Sequence, residues 1–190
     1  MNFPATMRRQ TRMCAALVLA PLLAFSACQP AYNWREIHET DAGYRILLPA
    51  KPVSMTRPID LDGVKVTMAM TGARVDEALF TVGSVVLPAA EDEMRTHATT
   101  AMRTAMERNV QGHETKATQV EVPVLDAAGR PVGSASGVHV EVEGRVAGEP
   151  SHMSATFVAR GNRAWQAVMI APVSDPEAAK LFHESFRIAQ

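Results

Sequence analysis

The chain has 190 residues, with 19 basic against 20 acidic side chains, 5% aromatic content and two cysteines, Cys14 and Cys28. A net charge of −1 supplies no electrostatic footprint for nucleic acid or anionic lipid. Two cysteines exclude a disulfide framework and cysteine-rich zinc sites.

Arg8, Arg9 and Arg12 form a basic start free of acids, and every residue from Met13 to Phe25 is apolar or proline. That run falls short of the ~20 apolar residues a helix needs to span a bilayer. A basic start, a short apolar run and small residues after it describe an export signal. Gln10-Thr11 lacks the apolar residue expected after a twin-arginine pair. Phe25-Ser26-Ala27-Cys28 resembles a bacterial lipobox: an apolar residue, two small ones and the cysteine that takes lipid. Phenylalanine where leucine is usual departs from that pattern, and an ordinary peptidase cut after Ser26 is the competing route.

The expectation is a lipoprotein signal peptide over 1–27, lipidation at Cys28, a lipidated tether over 28–33 and a single domain over 34–190. Cys14 leaves with the signal, so Cys28 is the sole mature cysteine, and acylation explains an unpaired thiol in an oxidising compartment. Several acyl chains, at ~0.8 kcal/mol per buried methylene, anchor a protein durably. Gln29 rather than Asp at the second mature position points to the outer membrane, facing the periplasm. Maturation removes three arginines and no acids, leaving sixteen bases against twenty acids and a net charge near −4. The domain is long enough to bury a core without disulfides or metal.

In chain order, Tyr44 to Leu48 follows the Asp41-Ala42-Gly43 turn and is stopped by Pro49 and Pro52, which predicts a strand. Val53 to Ile59 is a weaker strand, and Pro58 places it at a sheet edge. Asp60-Leu61-Asp62-Gly63 turns into the alternating strand Val64 to Met70, and Ala78 to Leu87 is a more continuously apolar strand. Between Ala89 and Asn109, Met94, Ala98, Ala101, Met102, Ala105 and Met106 recur at helical spacing, with Glu91, Asp92 and Glu93 at the favoured end of the dipole. Thr115 to Val124, Val138 to Glu143 and Met153 to Arg160 follow as strands. Gly161-Asn162 is a hairpin signal before Arg163 to Ala171. The last element is a helix with Ser174 as N-cap, Glu177 completing a capping box, and a buried stripe of Ala178, Leu181, Phe182 and Phe186.

This order predicts an α+β fold: a mostly antiparallel sheet of about six to seven strands packed by two helices. Trp34, Gly43-Tyr44-Arg45-Ile46-Leu47-Leu48-Pro49, Lys51-Pro52, Gly161-Asn162-Arg163-Ala164-Trp165-Gln166 and Phe182-His183-Glu184-Ser185-Phe186 together resemble small exported bacterial proteins of PsbP-like fold. That resemblance implies a sandwich serving accessory or binding roles, with no shared catalytic residues.

Chemical motifs are weak. Gly133-Ser134-Ala135-Ser136-Gly137 puts Ala135 where a nucleophile elbow needs serine. Asp60-Leu61-Asp62-Gly63 lacks the later ligands of a calcium loop and predicts a type I′ or bulged turn. His38, His97, His113, His139, His152 and His183 include no closely spaced metal pair, and a hairpin centred between His139 and His152 would not oppose them. Met68 with Met70, and Met102 with Met106, have the look of Cu(I) thioether pairs, but core packing accounts for both. Glu141 and Glu143 share a face with His139, read as solvated. The expectation is a non-enzymatic, lipid-anchored envelope protein with no cofactor and no metal, acting as an accessory or binding module for an envelope partner. The alternative is a periplasmic carrier of a small apolar ligand, against which the aromatic shortage counts.

Overall fold

The computed structural model describes residues 32–189. The expected signal peptide, Cys28 and most of the expected tether lie outside the described residues. Tyr32 and Asn33, expected in the tether, are instead tied to the domain. The Asn33 amide donates to the Pro49 carbonyl at 2.8 Å, and the Tyr32 hydroxyl to Asp175 Oδ2 at 2.8 Å.

In chain order the elements are β1 (Arg35–Glu39), β2 (Tyr44–Leu48), β3 (Val53–Leu61), β4 (Val64–Val75), β5 (Ala78–Val86), α1 (Asp92–Asn109), β6 (His113–Leu125), β7 (Pro131–Val146), β8 (Glu149–Arg160), β9 (Arg163–Ala171), α2 (Pro176–Glu184) and β10 (Arg187–Ala189). All ten strands lie in one sheet, in the order β1-β2-β10-β6-β7-β8-β9-β5-β4-β3. Every neighbouring pair is antiparallel except β10 with β6.

The expected PsbP-like sandwich of six to seven strands packed by two helices is therefore wrong. The described residues form a single ten-stranded sheet curled into a half-barrel, on which the eighteen-residue α1 and the nine-residue α2 pack. β1, with the sequence Arg-Glu-Ile-His-Glu, carries no apolar alternation, and β10 has only three residues. Both exist because β2 offers each of its edges to one of them.

Side chains alternate faces along each strand. On the face that carries α1, Val140, Val142, Met153, Ala155 and Phe157 pack with Ala98 and Met102 of the helix. The other face is the inside of the curl. There Ile46 and Leu48 of β2 share a core with Phe80 and Val82 of β5, Val158, Trp165, and Phe182 and Phe186 from α2 and its exit. Phe182 is fully buried, worth roughly 2 kcal/mol relative to an exposed ring. Thr71 on β4 donates to Glu39 on β1 at 3.4 Å, a bond across the mouth of the curl.

Local chemistry sets the ends of elements. Asp62 and Gly63 have φ of 54° and 95°, the pair of positive values a type I′ turn requires. The N-cap of α2 is Asp175 rather than Ser174: its side chain accepts from the Ala178 amide at 3.0 Å, with Pro176 opening the helix. Leu181 of the expected stripe is 41% exposed, and Ala178 and Phe182 carry the packing.

One feature of the topology positions the site. β10 pairs with only Val124 and Leu125 of the thirteen-residue β6. Before Val124, β6 therefore has a free edge on that side, and the sheet splits between it and β2. α2 lies at the split, in contact with β2 and β8.

Candidate functional site

Between the flank of α2 and the strands β6, β7 and β8 lies a half-open cleft of about 930 Å³. Ligand sites run from about 300 to 1,000 Å³. Val122, Met169, Ala171, Val173, Ala179 and Phe186 supply its apolar surface. Its polar centre is built by register. Cross-strand partners share a face, and His139 on β7 opposes Thr156 on β8, while Glu141 opposes Ser154. On α2, His183 stands one turn beyond Ala179, so both point into the cleft.

These residues form a connected hydrogen-bond chain. Ser154 Oγ lies 2.9 Å from His183 Nε2, Thr156 Oγ1 lies 3.1 Å from His183 Nδ1, and the same hydroxyl lies 3.0 Å from His139 Nδ1. The two imidazoles meet edge to face with ring centroids 4.6 Å apart. Burial, and secondarily the charge of His139, pushes His183 down to about 3. Burial also lowers His139, opposed by Glu141. Both rings are neutral at physiological pH. A neutral imidazole has one donor and one acceptor nitrogen, so the chain Ser154–His183–Thr156–His139 closes with either polarity as the hydroxyls rotate.

The Ser154–His183 contact has nucleophile–base spacing. It lacks the rest of that machinery. No carboxylate orients His183, whose other nitrogen faces a threonine. Ser154 also sits mid-strand, flanked by β7 and β9, so the neighbouring amides serve the ladders and none is free as an oxyanion donor. The arrangement presents hydroxyls and neutral ring edges to a ligand.

Both cleft walls are charged. Glu121, Glu141 and Glu143 line the sheet side, and Asp175, Lys180, Glu184 and Arg187 line the helix side, where Lys180 lies 4.0 Å from Glu184. Glu141 pairs with Lys116 at 3.2 Å, and Glu121 accepts from Ser134 at 2.6 Å. The face read as solvated is thus the wall of a cleft.

The remaining candidates disperse. His139 and His152 do not oppose each other, for His152 faces Glu143. His97 bonds the Leu61 carbonyl at 2.8 Å, and exposed His38 sits 3.1 Å from Glu36. Among the described residues no group of three or more His, Cys, Asp or Glu is placed to hold a metal. Met68 and Met102 are buried in the core beneath α1. The Gly133–Gly137 segment lies within β7, next to the bulge opposite Val124 and Leu125. Cys28 lies outside the described residues. Sequence reasoning missed the His139–His183 pair. The signals were His139 on the polar face of an alternating strand and His183 one turn after Ala179.

No protein-family model matches this chain, and no curated protein matches it in sequence. Fold and site define it as a curled-sheet domain with a lateral, ligand-sized cleft.

Proposed function

We propose that this chain is a lipid-anchored envelope protein, held through Cys28 to the outer membrane and facing the periplasm. In this reading it is a non-enzymatic binding module whose ligand surface is the cleft beside α2. The observation that supports it most is the hydroxyl–imidazole chain on the cleft floor. It is polar and self-satisfied, without the oriented base or oxyanion donors that turnover would need. The cleft favours a bound ligand over a closed docking face, and its charged walls favour a ligand with a polar end over a wholly apolar one.

Two measurements test this. The mature N-terminus should carry acyl mass on Cys28, and Cys28→Ala should leave the membrane fraction; an unmodified N-terminus at Ala27 or beyond defeats the anchor. A fluorophosphonate should leave Ser154 unlabelled in the native protein. Stoichiometric labelling there would turn the module into a serine hydrolase.

A further inference from the structure

We infer that the protein has a second ligand site, an oxyanion pocket at the β8–β9 hairpin that takes a phosphate dianion, free or on a small ester. The pocket shares no lining residue with the cleft beside α2, and it does not depend on the lipid anchor.

The site follows from strand register. Arg160 ends β8, Arg163 begins β9, and across the Gly161-Asn162 turn the two are direct partners. Cross-strand partners share a face. Val158 and Trp165, the pair two residues further along each strand, belong to the core inside the curl, so the arginines face the same way. Two guanidinium groups therefore stand side by side at the end of the hairpin. Like charges placed directly opposite repel, and this pair lacks a compensating anion.

The surrounding residues supply none. A half-open pocket of about 370 Å³ is lined here by Arg160, Arg163, Thr40, Asn162, Trp165 and Ala189, with two glycines and no aspartate or glutamate. Neither arginine forms an ion pair among the described residues. Asp41 meets Arg163 through its backbone: the Arg163 Nη1 donates to the Asp41 carbonyl at 2.6 Å. That bond steadies one guanidinium without neutralising it. The Arg160 Nη1 is buried and has no hydrogen-bond partner among the described residues. A buried donor on a charged group is costly to leave unpaired, and an orphan of this kind marks the place of an acceptor.

The donor set selects phosphate. A guanidinium presents its N–H groups in a planar fork that matches the oxygens of a phosphate or a carboxylate. Two adjacent cations favour two negative charges over one, and an esterified phosphate carries about −1.5 to −2 at neutral pH. Thr40 and Asn162 in the lining add a hydroxyl and an amide, neutral donors for the remaining oxygens.

The test titrates the full chain, in detergent and at fixed ionic strength, with inorganic phosphate by calorimetry. Saturable one-site binding is expected, with acetate, a single charge, several-fold weaker. Arg160→Met keeps the apolar stem and should weaken phosphate binding about tenfold. Should that variant fail to fold, Arg160→Lys keeps the charge without the fork and should weaken binding several-fold. Arg74→Met, on an exposed position at the far end of β4, should change nothing. Glycerol 3-phosphate identifies the source: tighter binding than inorganic phosphate assigns an ester, equal binding assigns the free ion, and either supports a dianion site. No saturable binding, equal binding of acetate, or binding indifferent to both Arg160 variants would overturn the proposal. A carboxylate on Gln190, the residue after Ala189, is another source of negative charge. Phosphate binding that appears only when Gln190 is amidated would make the chain its own occupant and overturn the proposal as well.

Discussion

His139 and His183 meet edge to face, 4.6 Å between ring centroids, with one hydroxyl, that of Thr156, bonded to the Nδ1 of each. A strand and a helix 44 residues apart are locked together through two neutral rings. Protonating either places a cation against the other ring, 4.6 Å away between centroids.

Stability should therefore fall in mild acid. His183 has an ordinary value of 6.5 when unfolded and about 3 when folded. Below pH 6.5 the unfolded chain takes up a proton that the folded chain refuses until about pH 3, so folding weakens through that window. Between pH 7 and pH 5 His183 alone accounts for about 2 kcal/mol. Urea unfolding of wild type and His183→Gln at the two pH values checks this. The variant should lose the corresponding part of the pH dependence, and an unchanged slope would show that His183 titrates normally.

Thr156 should matter more than Ser154. Thr156 is 4% exposed and bonds two imidazoles, whereas Ser154 is half-buried and bonds one. Thr156→Val keeps the shape and leaves two ring nitrogens without partners, a loss of about 2 kcal/mol. Ser154→Ala should lose about half that. Nitrogen NMR of the imidazoles should show His139 changing tautomer preference in Thr156→Val only.

The clamp at the start of the domain is separable from the helix cap. Asp175 receives the Tyr32 hydroxyl on Oδ2 and the Ala178 amide on Oδ1. Burial, with Asp175 reinforcing it, pushes the Tyr32 phenol up to about 12, so this donor persists at any physiological pH. Tyr32→Phe should cost about 1 kcal/mol. Asp175→Ala should cost more, because it also removes an N-cap worth about 1 kcal/mol. In a double-mutant cycle the two changes should be less than additive by roughly the value of the shared bond. Strict additivity would mean that the bond contributes nothing.

Gly144 should tolerate no side chain. A Cβ there would lie 2.2 Å from the Val110 carbonyl oxygen and 2.8 Å from Gly112 Cα, where the exit of α1 crosses β7. The Arg145 amide donates to that carbonyl at 2.5 Å, so the backbones have little freedom to part. Gly144→Ala should destabilise by about 3 kcal/mol through overpacking, read from the denaturation midpoint. Gly148→Ala, where nothing lies within 4 Å, should lose only what its φ of +88° imposes.

Much of the local structure is legible in the residues. Alternation marks β4, β7 and β8, the recurrence of Ala98 and Met102 marks α1, and Asp62-Gly63 and Gly161-Asn162 mark two hairpins, because such patterns act over a few residues. The cap of α2 is one residue off since Ser174 and Asp175 both suit the role, and which side chain meets Ala178 depends on the chain's approach. β1 and β10 are invisible locally. Their residues become strands only beside Tyr44–Leu48. The carboxylates Glu141 and Glu143 read as solvent-facing because a period of two tells one face from the other, not what covers it.

Considered alone, the residues determine the strand and helix segments other than β1 and β10, most of their turns, and the basic, apolar and Phe25-Ser26-Ala27-Cys28 pattern that reads as a lipid-anchoring signal, since propensity, capping and recognition motifs are short-range chemistry. Tertiary structure alone decides that ten strands form one curled sheet instead of a sandwich, because that depends on which distant edges pair. It also decides the cleft. β10 stops after Val124 and Leu125, the sheet opens, α2 lies at the gap, and His183 is carried onto Thr156 and His139, a meeting that no spacing along the chain encodes.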